Sequence, residues 1–464
     1  MRVFLSAAIS VYVIIHFLDF FLPNDQLRYL LSTIGFLVLF FALIYTRFKN
    51  MMLPFCLTIS AVIILAVHPE PISSYDFERS FTQMRSLIGL LFIVPMVSWV
   101  LRYEPYIEEM IVLFQKQLHQ SKRFYVGLTF MTQIISYFLI VGTIPVLYQV
   151  LHTMLKERRE PIWETFKAAI IIRGFALASL WVISVPSFSY AVQSTGTMLH
   201  TAILQGALVS FFGMMLAAVI LHVQERRKGM DFTKGIQEEL QRFLPNNRWN
   251  KRLLLEFLLL FVTLVGFIFL LHLAFHIEIL VAIPIVIVVW TFVYFLIKRD
   301  LYRLITESKF YLIRGVPLKA KEISLILSAG FLIHALNKTG LGSRFIEAMY
   351  ELSEKIASIN FLTILPFIVI ILGFVGLSPL TVMVLLGEII RQISLPYPPD
   401  LLLLSLTLGS CLTIMLSPLG IPVIVLSSEN KRTPLNNSLK MNWRYACCFY
   451  VIVQLYIQIR CLAI

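Results

Sequence analysis

The stretch FLIVGTIPVL at 138–147 reads as an apolar membrane helix interrupted near its middle by Gly142 and Pro145. It has a counterpart in GFVGLSPLT at 373–381, where Val375, Gly376 and Pro379 repeat the V-G-x-x-P spacing of Val141, Gly142 and Pro145 at an offset of 234 residues. The next apolar segments match too. GFALASLWVISVP from Gly174 answers GSCLTIMLSPLGIP from Gly409 at an offset of 235, and Pro186 answers Pro422 at 236. One such pair is a weak signal, but several in register mark an internal duplication.

The composition says what surrounds these segments. Hydrophobic residues make up 58% of the 464 and charged residues 14%, against about 25% charged in soluble chains. So much apolar surface requires lipid, which excludes a soluble fold, disorder, a coiled coil and a secreted disulfide scaffold. Cys56, Cys411, Cys447, Cys448 and Cys461 show no CxxC spacing and no neighbouring His cluster, so neither zinc nor a disulfide framework is indicated.

A spanning helix needs about 20 apolar residues. The candidates are 3–22, 28–46, 51–67, 85–101, 166–192, 198–222, 253–272, 276–297, 322–337, 400–426 and 442–462, with two Gly-Pro-interrupted runs at 124–150 and 361–387. No small-residue cleavage site follows the first segment, which therefore reads as a retained helix. If both interrupted runs are re-entrant hairpins and the N-terminus is cytoplasmic, 30 of the 39 Lys and Arg fall in cytoplasmic loops or at Arg2. The loop 68–84, with three acids and only Arg79, is then external. Full crossings by both runs would move Lys156, Arg158, Arg159, Arg226, Arg227 and Lys228 outside, against the positive-inside rule. That rule accounts for the net charge of +13 without nucleic acid.

The expected fold class is an all-α polytopic membrane protein of about 11 crossings and two re-entrant hairpins, in two inverted repeats. Residues 1–27 form an extra N-terminal helix. Repeat 1 is 28–222, with scaffold helices 28–101, hairpin 104–150, broken helix 166–192 and helix 198–222. A basic cytoplasmic linker, 223–252, leads to repeat 2 at 253–464, with scaffold helices 253–337, hairpin 343–387, broken helix 400–426 and helix 442–462. Amphipathic stretches, 104–118 and 343–356, precede the two hairpins. The N-terminus is expected in the cytoplasm and the C-terminus outside, in a bacterial cytoplasmic membrane.

Breaking a helix inside lipid frees backbone groups that lipid cannot satisfy, so the break must be buried in protein or line a polar cavity. In inverted-repeat carriers such breaks form the site: half-helix N-termini face an anion and freed carbonyls a cation. The expected substrate or ion-binding residues are Gly142, Thr143 and Pro145 with Gly376, Ser378 and Pro379 at the tips. Ser184, Pro186 and Ser187 with Ser417, Pro418 and Gly420 form the breaks, and Arg173 lies beside Gly174. Arg173, about 10 Å into its span at 1.5 Å per residue, reads as an anion clamp, as an internal counter-charge for a proton-linked acid, or as an arginine snorkelling to the headgroups. Glu388 reads as a proton acceptor or an interfacial acid, and His334 and Asn337 as helix-end groups at the outer face or members of a relay.

This order of elements, over residues 28–464, resembles the ion transporter superfamily, which includes arsenite permeases and divalent anion–sodium symporters. The resemblance implies a scaffold domain and a mobile domain working by an elevator motion in a homodimer. Sodium–carboxylate symporters there carry Ser-Asn-Thr at both tips, where this chain has Gly142-Thr143-Ile144 and Gly376-Leu377-Ser378. The carry-over is therefore of backbone geometry. The expected function is secondary active transport of a small or lipid-like anion, with sodium or proton coupling, no bound cofactor or metal, no catalytic residues, and membrane lipids as surroundings. Walker A and HExxH motifs are absent. The alternative is a membrane-embedded enzyme or flippase of lipid-linked glycan or lipid metabolism.

Overall fold

The computed structural model describes residues 2–45, 48–67, 73–107, 109–110, 120–158, 160–228, 231–243, 250–342, 344, 360–391 and 395–462, and every regular element among them is helical. Nine helical segments there are long and apolar enough to cross a membrane, and Met51–Val67 and Phe361–Phe374 are shorter apolar helices. The chain is an all-α polytopic membrane protein. Three of the expected crossings fall outside the nine: 51–67 is one of the shorter helices, Lys167 and Arg173 interrupt 166–192, and Ser324, Ser328, His334 and Asn337 dilute 322–337, while one of the nine, Ser121–Met154, covers the first interrupted run. Residues 111–119 and 345–359, which hold most of the two amphipathic stretches, lie outside the described residues.

The chain divides into two units. The first comprises 1–100, 266–360 and 380–395. It contains α1 (Arg2–Phe21), α2 (Asp25–Tyr45), α3 (Phe48–Val67), α4 (Ser74–Thr82), α5 (Arg85–Ile93) and most of α6 (Val97–Leu101). The stretch 68–84, expected as an external loop, holds helix α4 instead. Ser73 accepts from the Asp76 backbone while the Asp76 carboxylate accepts from the Ser73 backbone, a capping box that starts the helix. Asp76 is buried and bonded by His334 Nε2 at 3.0 Å and Lys338 Nζ at 2.7 Å. His334 thus binds the Asp76 carboxylate at the start of α4.

The second unit comprises 101–265, 361–379 and 396–464. In chain order its elements are α7 (Ser121–Leu139), α8 (Thr143–Met154), α9 (Pro161–Ala178), α10 (Pro186–Thr195), α11 (Leu199–Lys228) and α12 (Phe232–Phe243). Helix α13 (Lys251–Phe275) begins in this unit and ends in the first, which also holds α14 (Ile279–Ile297), α15 (Leu301–Phe310) and α16 (Val316–Thr339). The second unit resumes with α17 (Phe361–Phe374) and Pro379, the first residue of α18 (Pro379–Arg391), whose remainder belongs to the first unit. It closes with α19 (Pro399–Leu416), α20 (Ile421–Asn430), α21 (Pro434–Asn437) and α22 (Leu439–Leu462). Its core is two helix pairs, α7 with α9 and α17 with α19. Helix α12 lies in the expected basic linker and seats Phe232 against Phe166, ring centroids 4.9 Å apart.

Candidate functional site

The candidate residues lie where helices stop inside apolar runs. The first interrupted run leaves α7 at Leu139, makes a single 3-10 turn over Ile140–Gly142 and starts α8 at Thr143. The second leaves α17 at Phe374 and starts α18 at Pro379. Pro379 opens α18 and Pro145 sits in the first turn of α8, where a missing N–H costs no intrahelical bond.

The two tips turn by different means. Gly376 has φ 104, a conformation that needs glycine. At the first tip the positive φ belongs to Ile140 (φ 47), whereas Gly142 is helical at φ −61. A β-branched residue there is strained by about 1–3 kcal/mol. At this tip the left-handed residue is thus Ile140 and not the motif glycine. Gly142 is exposed, and a Cβ placed on it would meet only Leu139, at 3.6 Å.

Each tip is tied to one break by the same contact. Ser184, in the gap between α9 and α10, donates to the Tyr137 carbonyl at 2.6 Å. Ser417, in the gap between α19 and α20, donates to the Gly373 carbonyl at 3.1 Å. Both acceptors are last-turn carbonyls, of α7 and of α17; that of Gly373 also accepts from Gly376 N–H at 3.2 Å. The serine protons expected to serve a ligand thus close the protein on itself. Leu419 N–H also donates to Ser417 Oγ at 3.3 Å, and a Cβ on Gly376 would stand 3.7 Å from Leu419 Cδ1.

The remaining hydroxyls differ. Thr143 is fully buried at the first tip, and its Oγ1 has no hydrogen-bond partner. Ser187 is buried at the start of α10, while Ser378, Pro418 and Gly420 are half-buried. All thirteen expected residues belong to the second unit. The two tip-and-break pairs meet through packing of α9 and α10 on α19 and of α8 on α20.

Glycines set how closely the arms approach the broken helices. A Cβ on Gly174 would stand 2.6 Å from Thr132 Cβ, and one on Gly409 would stand 2.9 Å from the Pro366 carbonyl and 2.7 Å from Val369 Cβ. Only glycine lets α9 and α19 lie this close to α7 and α17.

Arg173 is 5% exposed, so it does not snorkel. Its Nε donates to Asn442 Oδ1 at 3.0 Å and NH1 to Tyr125 OH at 3.2 Å, and its guanidinium lies 4.6 Å from the Tyr445 ring centroid. Asn442 in turn donates to the Met415 carbonyl at 3.2 Å, two residues before the break at Ser417. Gln133 Oε1 accepts from Trp181 Nε1 at 2.6 Å and Ser210 at 2.7 Å, leaving its amide NH2 buried without a partner. Sequence reading missed Asn442, Tyr125 and Gln133; the polar spacing Tyr125, Thr129, Thr132, Gln133, Ser136 along one apolar arm was the available signal. Glu388, an expected proton acceptor or interfacial acid, lies 3.7 Å from Arg391.

No family model matches the chain, and no curated protein matches it. Among solved structures it is similar to the crystal structure of the Alcanivorax borkumensis YdaH transporter, at 15% identity and a TM-score of 0.49, covering 89% of this chain and 97% of that one.

Proposed function

We propose that this chain is a secondary active membrane transporter for a small anionic solute, its two hairpins re-entrant and its two repeats inverted. In this reading the second unit carries the substrate site at the tips and breaks and moves as an elevator, sodium or proton coupling drives it, and the protein works as a homodimer. The observation that carries the reading is the repeated closure. Ser184 on Tyr137 and Ser417 on Gly373 are one contact made twice, and Gly174 on Thr132 and Gly409 on Pro366 are another. A helix that merely tolerates a proline has no reason to repeat its break, its capping serine and its close-packed glycine at nearly the same offset, within a few residues of 235. The unpartnered Thr143 hydroxyl beside a broken backbone adds a buried polar group that a ligand would satisfy.

The test needs no substrate. In a chain freed of its five cysteines, a single cysteine at Thr143 or Ser417 is exposed to a membrane-impermeant maleimide in right-side-out and in inverted vesicles. An alternating-access carrier presents these positions to both sides, so labelling from each is expected. Labelling from one side only, at both positions, would overturn the reading.

A further inference from the structure

A second feature of this unit is a cavity of about 500 Å³ whose wall carries Arg173, Arg432, Lys440 and Arg444 and no Asp or Glu. Among the described residues none of these four cations has an acidic partner. Arg173 rests on neutral groups, Arg432 donates to Thr165 Oγ1 at 2.8 Å, and Arg444 lies 5.1 Å from the Trp443 ring centroid. Elsewhere in the same unit cations meet carboxylates: Arg158 with Glu238, Lys167 with Glu164, and Arg460 with Asp400 at 3.5 Å.

Four like charges around one hollow repel each other, and the buried one costs most. A guanidinium taken out of water recovers little from neutral partners and much more from an opposite charge. The first turns of α9 and α22 also line the cavity, through Ile162 and Lys440. Helix α9 opens on Pro161, which has no N–H, and its Trp163 N–H bonds the Glu160 carbonyl, so the backbone contribution of partial positive charge comes mainly from the start of α22. The wall is therefore positive chiefly from its side chains. Three of the four charges are forked guanidiniums, the shape that matches phosphate oxygens two at a time. Between them the wall carries the aromatic Phe166, Phe232 and Trp443 together with the polar Thr165 and Gln224.

We propose that this cavity binds a phosphate-bearing anion of at least two negative charges with an apolar part. We further propose that it forms the mouth through which the carrier's cargo reaches the breaks. The second clause rests on the transport reading, since it follows the line from Arg173 through Asn442 to the Met415 carbonyl beside Ser417. A volume of this size suits one small ligand. The phosphate can come from a soluble compound or from a lipid headgroup, and the experiment separates the two.

Purified protein in nonionic detergent is titrated with sodium pyrophosphate by calorimetry. In parallel, nanodiscs of phosphatidylcholine with or without phosphatidic acid are compared for lipid co-purified with the protein. Arg432→Gln/Lys440→Gln removes two charges from exposed or half-exposed positions and so spares the buried network. Lys122→Gln/Arg123→Gln removes two exposed charges outside the cavity. The first variant is expected to weaken binding about tenfold or more, with the loss shrinking at high salt, and the second to leave it unchanged. Pyrophosphate binding with this pattern identifies a soluble phosphate. Phosphatidic acid enrichment with this pattern, without pyrophosphate binding, identifies a lipid headgroup. Absence of both, or equal loss in the two variants, overturns the site. One-sided maleimide labelling at Thr143 and Ser417 with phosphate binding intact would remove the transport reading and leave the site standing.

Discussion

At the residue scale, the two tip glycines do different work despite occupying the same motif. Gly376 is fixed by its backbone (φ 104), so any side chain there strains the turn whether or not a ligand binds. Gly142 has helical φ and open space around its missing Cβ, which makes it the cleaner probe. Gly142→Val should leave melting temperature in detergent within about 2 °C of wild type, since surface changes stay within about 0.5 kcal/mol, yet abolish uptake in proteoliposomes. Gly266→Val, whose Cβ meets nothing within 4 Å, is the matching control, whereas Gly35 is packed against Tyr12 and Phe81 and is unsuitable. Normal uptake by Gly142→Val would remove the first tip from the site. Arg173 is the other residue of consequence. A lysine cannot reach Asn442 and Tyr125 together as the guanidinium does, so Arg173→Lys should cost about 1–3 kcal/mol by thermal unfolding although the charge is kept. Unchanged stability would mean that the network carries no weight. Arg173 was legible in the sequence because a charge inside an apolar run stands out. Asn442 was not, because it opens its span and looks like any helix-end amide.

At the element scale, helix positions followed from hydropathy and breaks from Gly and Pro, both local properties of a chain in lipid. What the sequence hid was structure inside the polar connections. Helix α4 sits in a stretch whose three acids suggested a loop, and α12 sits in the basic segment 223–252 assigned to a linker by charge. Charge counts report which side of a membrane a segment faces and say nothing about whether it is helical. Ser73 and Asp76, three residues apart, were the local sign of α4. The partners of Ser184 and Ser417 were illegible for another reason: a hydroxyl in a break serves a ligand or a neighbouring carbonyl equally well until packing decides. The glycine contacts yield a paired prediction. Gly174→Ala and Gly409→Ala each force α9 from α7 or α19 from α17, at about 1–3 kcal/mol of overpacking. Comparable losses of melting temperature in the two variants are expected if the packed pairs are equivalent. A loss confined to one would show that the two packed pairs bear unequal load.

At the scale of the whole molecule, the proposed inversion turns on which side of the membrane each hairpin returns to. A re-entrant first hairpin keeps 151–158 on the side where α7 began, with Lys156 and Arg158 in the cytoplasm; a re-entrant second hairpin leaves 395–399 outside. Lys156 and Pro396 are both exposed, so a cysteine at either is open to reagent. In a background freed of Cys56, Cys411, Cys447, Cys448 and Cys461, Lys156→Cys should react with an impermeant maleimide only in inverted vesicles, and Pro396→Cys only in intact cells. The positive-inside bias supports this assignment, because moving the 151–167 and 223–252 loops outside would carry twelve of the 39 Lys and Arg with them. The two labels test different links. Reaction of Lys156→Cys from outside makes the first hairpin a full crossing and the two repeats parallel rather than inverted. Reaction of Pro396→Cys from inside does the same for the second. Either result dissolves the pseudo-two-fold axis on which the convergence of breaks depends, and with it the argument that Thr143 and Ser417 face one substrate.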